Sequence, residues 1–182
     1  MSTNITCYCG SERLFSHCCQ PLVTYNKEAQ TPEQLMRSRF SAYVINNSQY
    51  IYDTYAKSSQ ASQSVKEISH WSEDSVWIAL QIHFINNNDV TITDSPEQFV
   101  EFSAFYISDN TLFELRENSR FIIEDNDKEE SKPLKWRYID GDIIKHCELT
   151  KIKRKEQCPC NNYPTAWSTK KDKKFKQCCG KK

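Results

Sequence analysis

Hydrophobic and polar positions change period along this chain, and the changes mark out its elements. Leu35, Met36, Phe40, Tyr43 and Val44 fall on one face of a 3.6-residue repeat, which predicts an amphipathic helix. Thr31-Pro32-Glu33-Gln34 opens it with a cap hydroxyl, a proline at the first helical position and a glutamine able to bond back to the cap amide. Asn46-Asn47 closes it, and residues 49–55 and 61–72 read as two weaker helices. The period then drops to two. Ile78, Leu80, Ile82 and Phe84 alternate with Trp77, Ala79, Gln81 and His83, a strand, and Asn86-Asn87-Asn88-Asp89 is a turn. Residues 98–108 and 112–124 read as a hairpin closed by Asp109-Asn110, two residues that tolerate positive φ. A charged loop, 125–133, leads to a last strand, 134–140, which Gly141 should end. Helices followed by an antiparallel meander give an α+β fold with the helices on one face of the sheet.

Composition narrows the class of protein. The chain has 182 residues with 24 basic and 24 acidic side chains, but residues 151–182 hold eleven Lys or Arg against two acids. That is +9 for the tail and leaves −9 for the rest, so the tail can attract a polyanion such as RNA, anionic lipid or an acidic protein face. Met1 to Thr6 lacks a basic segment followed by an apolar run, and no apolar stretch reaches the roughly 20 residues that span a bilayer. The expectation is a cytoplasmic protein. In a reducing compartment its nine cysteines point to metal or redox chemistry rather than disulfides.

The cysteines are grouped. Cys7-Tyr8-Cys9 and, eight residues on, Cys18-Cys19 bring four thiols into one short loop; Cys158-Pro159-Cys160 and Cys178-Cys179 repeat the pairs across 17 residues. Zn²⁺ takes four thiolates at tetrahedral corners with Zn–S of about 2.3 Å, and paired cysteines at both ends of a small loop supply them. Up to two zinc ions are therefore expected. Gly10-Ser11 provides the sharp turn after the first pair, where Asn161-Asn162 follows the second. Cys147 is left as an isolated thiol, and His17, His70, His83 and His146 show no ligand spacing.

The pattern Cys-x-Cys-Gly-Ser, eight residues, Cys-Cys resembles the SEC-C motif, the zinc knuckle at the C-terminus of the SecA translocation motor. Residues 173–180 are similar to its second half, with a nine-residue insertion before them. Between the clusters, Leu35-Met36-Arg37-Ser38-Arg39-Phe40-Ser41-Ala42-Tyr43, Glu117-Asn118-Ser119-Arg120-Phe121 and Trp136-Arg137-Tyr138-Ile139-Asp140-Gly141 resemble the YchJ-like proteins. The resemblance spans nearly the whole chain. It implies a nuclear transport factor two-like domain, a curved sheet wrapped around helices as a cone, over residues 30–145, flanked by knuckles at 1–22 and 155–182. It implies no established activity.

One polar group interrupts the apolar pattern. On the strand 112–124, Glu117 and Ser119 share a face with Phe113, Leu115, Phe121 and Ile123, and an inward carboxylate needs a partner. Arg39, four residues from both Leu35 and Tyr43, is one candidate; Tyr138 together with Ser119 is the other. Trp136, Tyr138 and Asp140 share one face of the last strand and could join the cluster. Such a network either locks helix to sheet or forms a ligand pocket of Arg39, Tyr43, Glu117, Ser119, Trp136, Tyr138 and Asp140. No nucleophile with its base, phosphate loop or dinucleotide fingerprint occurs, so the sequence designates no reaction. Three functions follow in order: docking of knuckles and basic tail on a protein or ribosomal partner in secretion or quality control, by analogy with SecA; a small-molecule site or enzyme in the cone around Glu117; and RNA binding by the tail, with Trp167 and Phe175 as stacking groups.

Overall fold

The computed structural model describes residues 5–85, 97–124, 134–163 and 172–181. Five helices come first, α1 (Gln20–Val23), α2 (Pro32–Val44), α3 (Ser48–Asp53), α4 (Lys57–Gln60) and α5 (Val65–Asp74), followed by four strands, β1 (Val76–Ile85), β2 (Glu97–Ser108), β3 (Thr111–Glu124) and β4 (Lys135–Lys151). The strands form one antiparallel sheet in the order β1-β2-β3-β4. The turn expected at 86–89, the charged loop at 125–133 and Trp167 lie outside the described residues.

The central helix α2 begins as its sequence dictates. Thr31 Oγ1 accepts from the Gln34 amide at 3.1 Å, while the Gln34 side chain accepts from the amide of Gln30 rather than that of Thr31. Its burial exceeds the apolar stripe, for Ser38, Arg39 and Ser41 are buried alongside Leu35, Met36 and Phe40. Each finds a partner inside: Ser38 Oγ lies 2.7 Å from the Tyr50 hydroxyl, and Arg39 donates to Ile51 O and Thr54 Oγ1. Buried polar groups are tolerable only when paired in this way. The weaker helical segments resolve as α3, α4 and α5, with Ser64 capping α5 through the amide of Glu67.

The hairpin between β2 and β3 turns on Asp109 and Asn110, both at positive φ (46° and 57°), the geometry that matches strand twist. Two expectations need correction. β4 does not stop at Gly141 but continues to Lys151, because Gly141 opposes Ser119 within the ladder and is used for room. A Cβ there would come 2.1 Å from Glu117 Oε1. The simple alternation of β1 also fails: an irregularity between Trp77 and Ala79 turns Trp77 and Leu80 to the helices, and Ile78 and Ala79 to the opposite face.

β4 uses 17 residues to pair with the 14 of β3, and three register shifts absorb the excess. Each such bulge bends the strand and adds twist, so the sheet curls around α2. The concave side holds the main core, with Leu35, Phe40, Trp77, Val100, Phe102 and Phe121 among its members. The convex side carries a second core of Ile78, Ala79, Phe105, Ile107 and Leu112, continued by Ile152, Cys158, Cys160, Phe175 and Cys178.

Candidate functional site

The first knuckle is a tight loop. Thr6 pairs with Leu14, the Cys7 amide donates to Arg13 O at 2.7 Å, and Gly10 adopts φ +74° as its amide returns to Cys7 O. A 3₁₀ turn, Phe15–His17, delivers Cys18 at φ −127°, ψ −97°. The second knuckle repeats this backbone. Gln157 pairs with Lys174, the Asn161 amide returns to Cys158 O, and the turn Phe175–Gln177 delivers Cys178 at φ −126°, ψ −114°. The nine extra residues thus leave the ligand frame unchanged.

In each knuckle four thiols converge, Cys7, Cys9, Cys18 and Cys19 in one and Cys158, Cys160, Cys178 and Cys179 in the other, with every sulfur within 4.8 Å of its fellows. Individual separations are 3.7 Å for Cys9 and Cys18, 3.9 Å for Cys18 and Cys19, 3.5 Å for Cys160 and Cys178, and 3.8 Å for Cys178 and Cys179. A tetrahedral ion with bonds of about 2.3 Å sets its ligand sulfurs about 3.8 Å apart. Both clusters can hold a metal ion of that size. Without a cation such thiols share protons: Cys19 holds Cys18 down to about 6, and Cys18 holds Cys9 far below the ordinary thiol value while raising Cys7 and Cys19. In the second cluster burial, aided by Cys160, pushes Cys178 up to about 11.

Neighbours brace the sulfurs. Ser11 Oγ lies 3.2 Å from Cys18 Sγ, Ser41 Oγ lies 3.9 Å from Cys7 Sγ, and Arg37 donates to Cys9 O while paired with Glu33. The Ser41 and Arg37 contacts fasten the first knuckle to α2. Phe175, 3% exposed, sits in the convex core, which corrects its assignment as an RNA-stacking group. Spacing alone could not reveal that burial.

The cone holds a cavity of about 100 Å³. Of the sequence candidates, Arg39, Tyr43, Glu117, Ser119 and Tyr138 line it; Trp136 and Asp140 do not. Trp136 packs beside the core and donates to Gln30 O at the opposite end of α2's first turn. Asp140 is displaced by the bulge between the pairs Arg120↔Asp140 and Phe121↔Tyr138, which puts it on the convex face in a bidentate pair with Arg120 that holds its carboxyl below the usual value. Glu117 Oε1 accepts from Ser119 Oγ at 2.5 Å and from the Tyr138 hydroxyl at 2.9 Å. Arg39 forms no ion pair with Glu117; its guanidinium lies between the Tyr55 and Tyr138 rings, 4.4 and 4.6 Å from their centroids. Arg39 therefore reaches Glu117 only through Tyr138, whose phenol is raised by burial and then by Glu117. Sequence reasoning missed Tyr55, Trp71 and Trp77, which complete the walls; their apolar periodicity was the available signal, but periodicity does not separate core from cavity lining.

A family model described as YchJ, middle NTF2-like domain matches residues 31–141, more than half of the chain. The chain belongs to the YchJ-like family. A SEC-C motif model matches residues 4–21, the first knuckle. Among YchJ-like relatives, a UPF0225 protein of Vibrio cholerae is 36% identical over 176 residues, covering 97% of this chain and 100% of the relative. Another, from Enterobacter sp. (strain 638), is 32% identical over 174 residues, covering 96% and 97%. A crystal structure of a SEC-C motif containing protein from Psychrobacter arcticus superposes with a TM-score of 0.65 at 26% identity, over 97% of this chain and 96% of that one. The solution structure of a SEC-C motif containing protein from Rhodopseudomonas palustris gives 0.63 at 25% identity, over 78% and 100%. No helix among the described residues of this YchJ-like chain is long and apolar enough to cross a membrane.

Proposed function

We propose that this YchJ-like chain is a cytoplasmic zinc protein that docks on an acidic protein surface through the basic face of its C-terminal knuckle. The observation that carries the reading is the exposure of Lys153, Arg154, Lys155, Lys173, Lys174, Lys176 and Lys181 around a knuckle whose Phe175, Cys158, Cys160 and Cys178 are buried. The metal cluster and Phe175 fix the loop to the sheet, and the cations, seven against Glu156 and Asp172, face outward. Such a patch steers acidic partners and adds to the affinity of a matched surface. Zinc fits the all-sulfur donor sets, and a reducing compartment keeps the thiols available. The likeness to the SecA knuckle favours a setting in secretion, at the ribosome or in quality control.

Elemental analysis of protein purified without chelator tests the metal, with two zinc ions per chain expected. Affinity capture tests the docking, using the full chain beside a full-length variant with Lys153, Lys155, Lys173, Lys174 and Lys176 changed to Gln. The partner should leave both the variant and the salt-washed native chain, since the Debye length falls from about 10 Å at 0.1 M to about 3 Å at 1 M. Identical retention by both chains refutes docking, and a partner that ribonuclease removes replaces it with RNA binding.

A further inference from the structure

The cone cavity carries chemistry that the knuckle reading does not use. Trp77 lines it and is 6% exposed, yet its indole N–H is buried with no hydrogen-bond partner. An orphaned donor of this kind is uncommon, and its desolvation is costly enough to need a reason. Glu117 presents the complement. Both of its protein donors, Ser119 and Tyr138, bond to Oε1, so Oε2 has no donor among the described residues. One cavity thus contains an unanswered donor and an unanswered acceptor.

Charge and shape restrict what can answer them. Arg39 and Glu117 both line the cavity, one positive and one negative, and Arg39 is already held by two ring faces and two oxygens. An incoming cation would meet the guanidinium, and an incoming anion the carboxylate, so a neutral molecule fits best. Tyr43, Trp71 and Trp77 form mutually packed walls with ring centroids 4.7 to 5.2 Å apart, and aromatic faces favour a flat guest. A volume of about 100 Å³ admits a ring of about six non-hydrogen atoms, by comparison with cavities of ~150 Å³ that take benzene.

We infer that the cone binds a small neutral planar molecule bearing an N–H donor beside a carbonyl acceptor, of the lactam, cyclic urea or cyclic imide class. The guest's N–H goes to Glu117 Oε2 and its carbonyl oxygen takes the Trp77 indole proton. Gly141 is part of the device, since a Cβ there would occupy the place of the Glu117 carboxylate.

The test is an amide NMR titration of the full-length zinc-loaded chain with 2-pyrrolidinone, N-methyl-2-pyrrolidinone, acetate and methylammonium. 2-Pyrrolidinone should shift the Trp77 side-chain N–H resonance saturably with a Kd of about 1 mM, a typical affinity for so few atoms. Its N-methyl analogue, which cannot donate to Glu117, should bind about tenfold more weakly. Trp77→Phe should weaken 2-pyrrolidinone by about tenfold as well. Glu117→Gln guards against misfolding as an explanation: Ser119 and Tyr138 keep its carbonyl oxygen, the amide NH₂ replaces Oε2, and the preference for the unmethylated ring should vanish. Absence of saturable binding, equal binding of both lactams by the native chain, or tighter binding of acetate or methylammonium overturns the proposal and leaves water as the occupant.

Discussion

Gly141 and Glu117 explain each other. The carboxylate folds back over the neighbouring strand to collect the Ser119 and Tyr138 hydroxyls, and it can do so only where β4 has no side chain. Gly141→Ala should therefore displace Glu117 from both donors and destabilise the domain by about 2 to 3 kcal/mol, read as a lower urea midpoint. An unchanged midpoint would show that the carboxylate moves aside freely. That Glu117 faces inward was legible from its place among Phe113, Leu115 and Phe121. Its partner was not, because spacing assigns Arg39 to a face of α2 but says nothing of depth, and two phenol rings satisfy the guanidinium before it reaches the carboxylate.

Among the elements, those with strong local chemistry were readable in advance. The Asp109-Asn110 turn, the Thr31 cap and the two cysteine loops each rest on a few adjacent residues. Thr31→Ala removes the acceptor of the Gln34 amide and should cost about 1 kcal/mol, measurable by thermal melting. A cost near zero would mean that Gln34 and the neighbouring backbone already suffice. β4 was misread because bulges answer to the partner strand rather than to local pattern: one of them sends Asp140 to Arg120 on the convex face, although strict alternation groups it with Tyr138. The same irregularities give the sheet the curvature that encloses α2, so the cone was accessible through family resemblance and not through periodicity.

On the scale of the molecule, the two knuckles differ in attachment. The first is pinned to α2 by Arg37 and Ser41, whereas the second shares a hydrophobic core with β1, β2 and β3. Phe175→Ala should consequently lower the stability of the whole domain by about 3 to 5 kcal/mol, the cost of emptying a buried aromatic site, and not merely loosen the tail. A urea transition unchanged in midpoint would assign the knuckle an independent fold. Strand β1 lies between the two attachments. The position of a Gly10 Cβ falls 3.5 Å from Leu80 O on one side, and Ile78 and Ala79 join the Phe175 core on the other. β1 is also an edge of the sheet, and an uncovered edge invites pairing with other chains. The two ions then act as linked ligands of one strand: withdrawing either should lower the affinity for the other, so a titration with a competing chelator should release zinc more steeply than two independent sites allow. Oxidation of either thiol cluster would have the same effect, turning loss of metal at one end of the sequence into self-association of the whole.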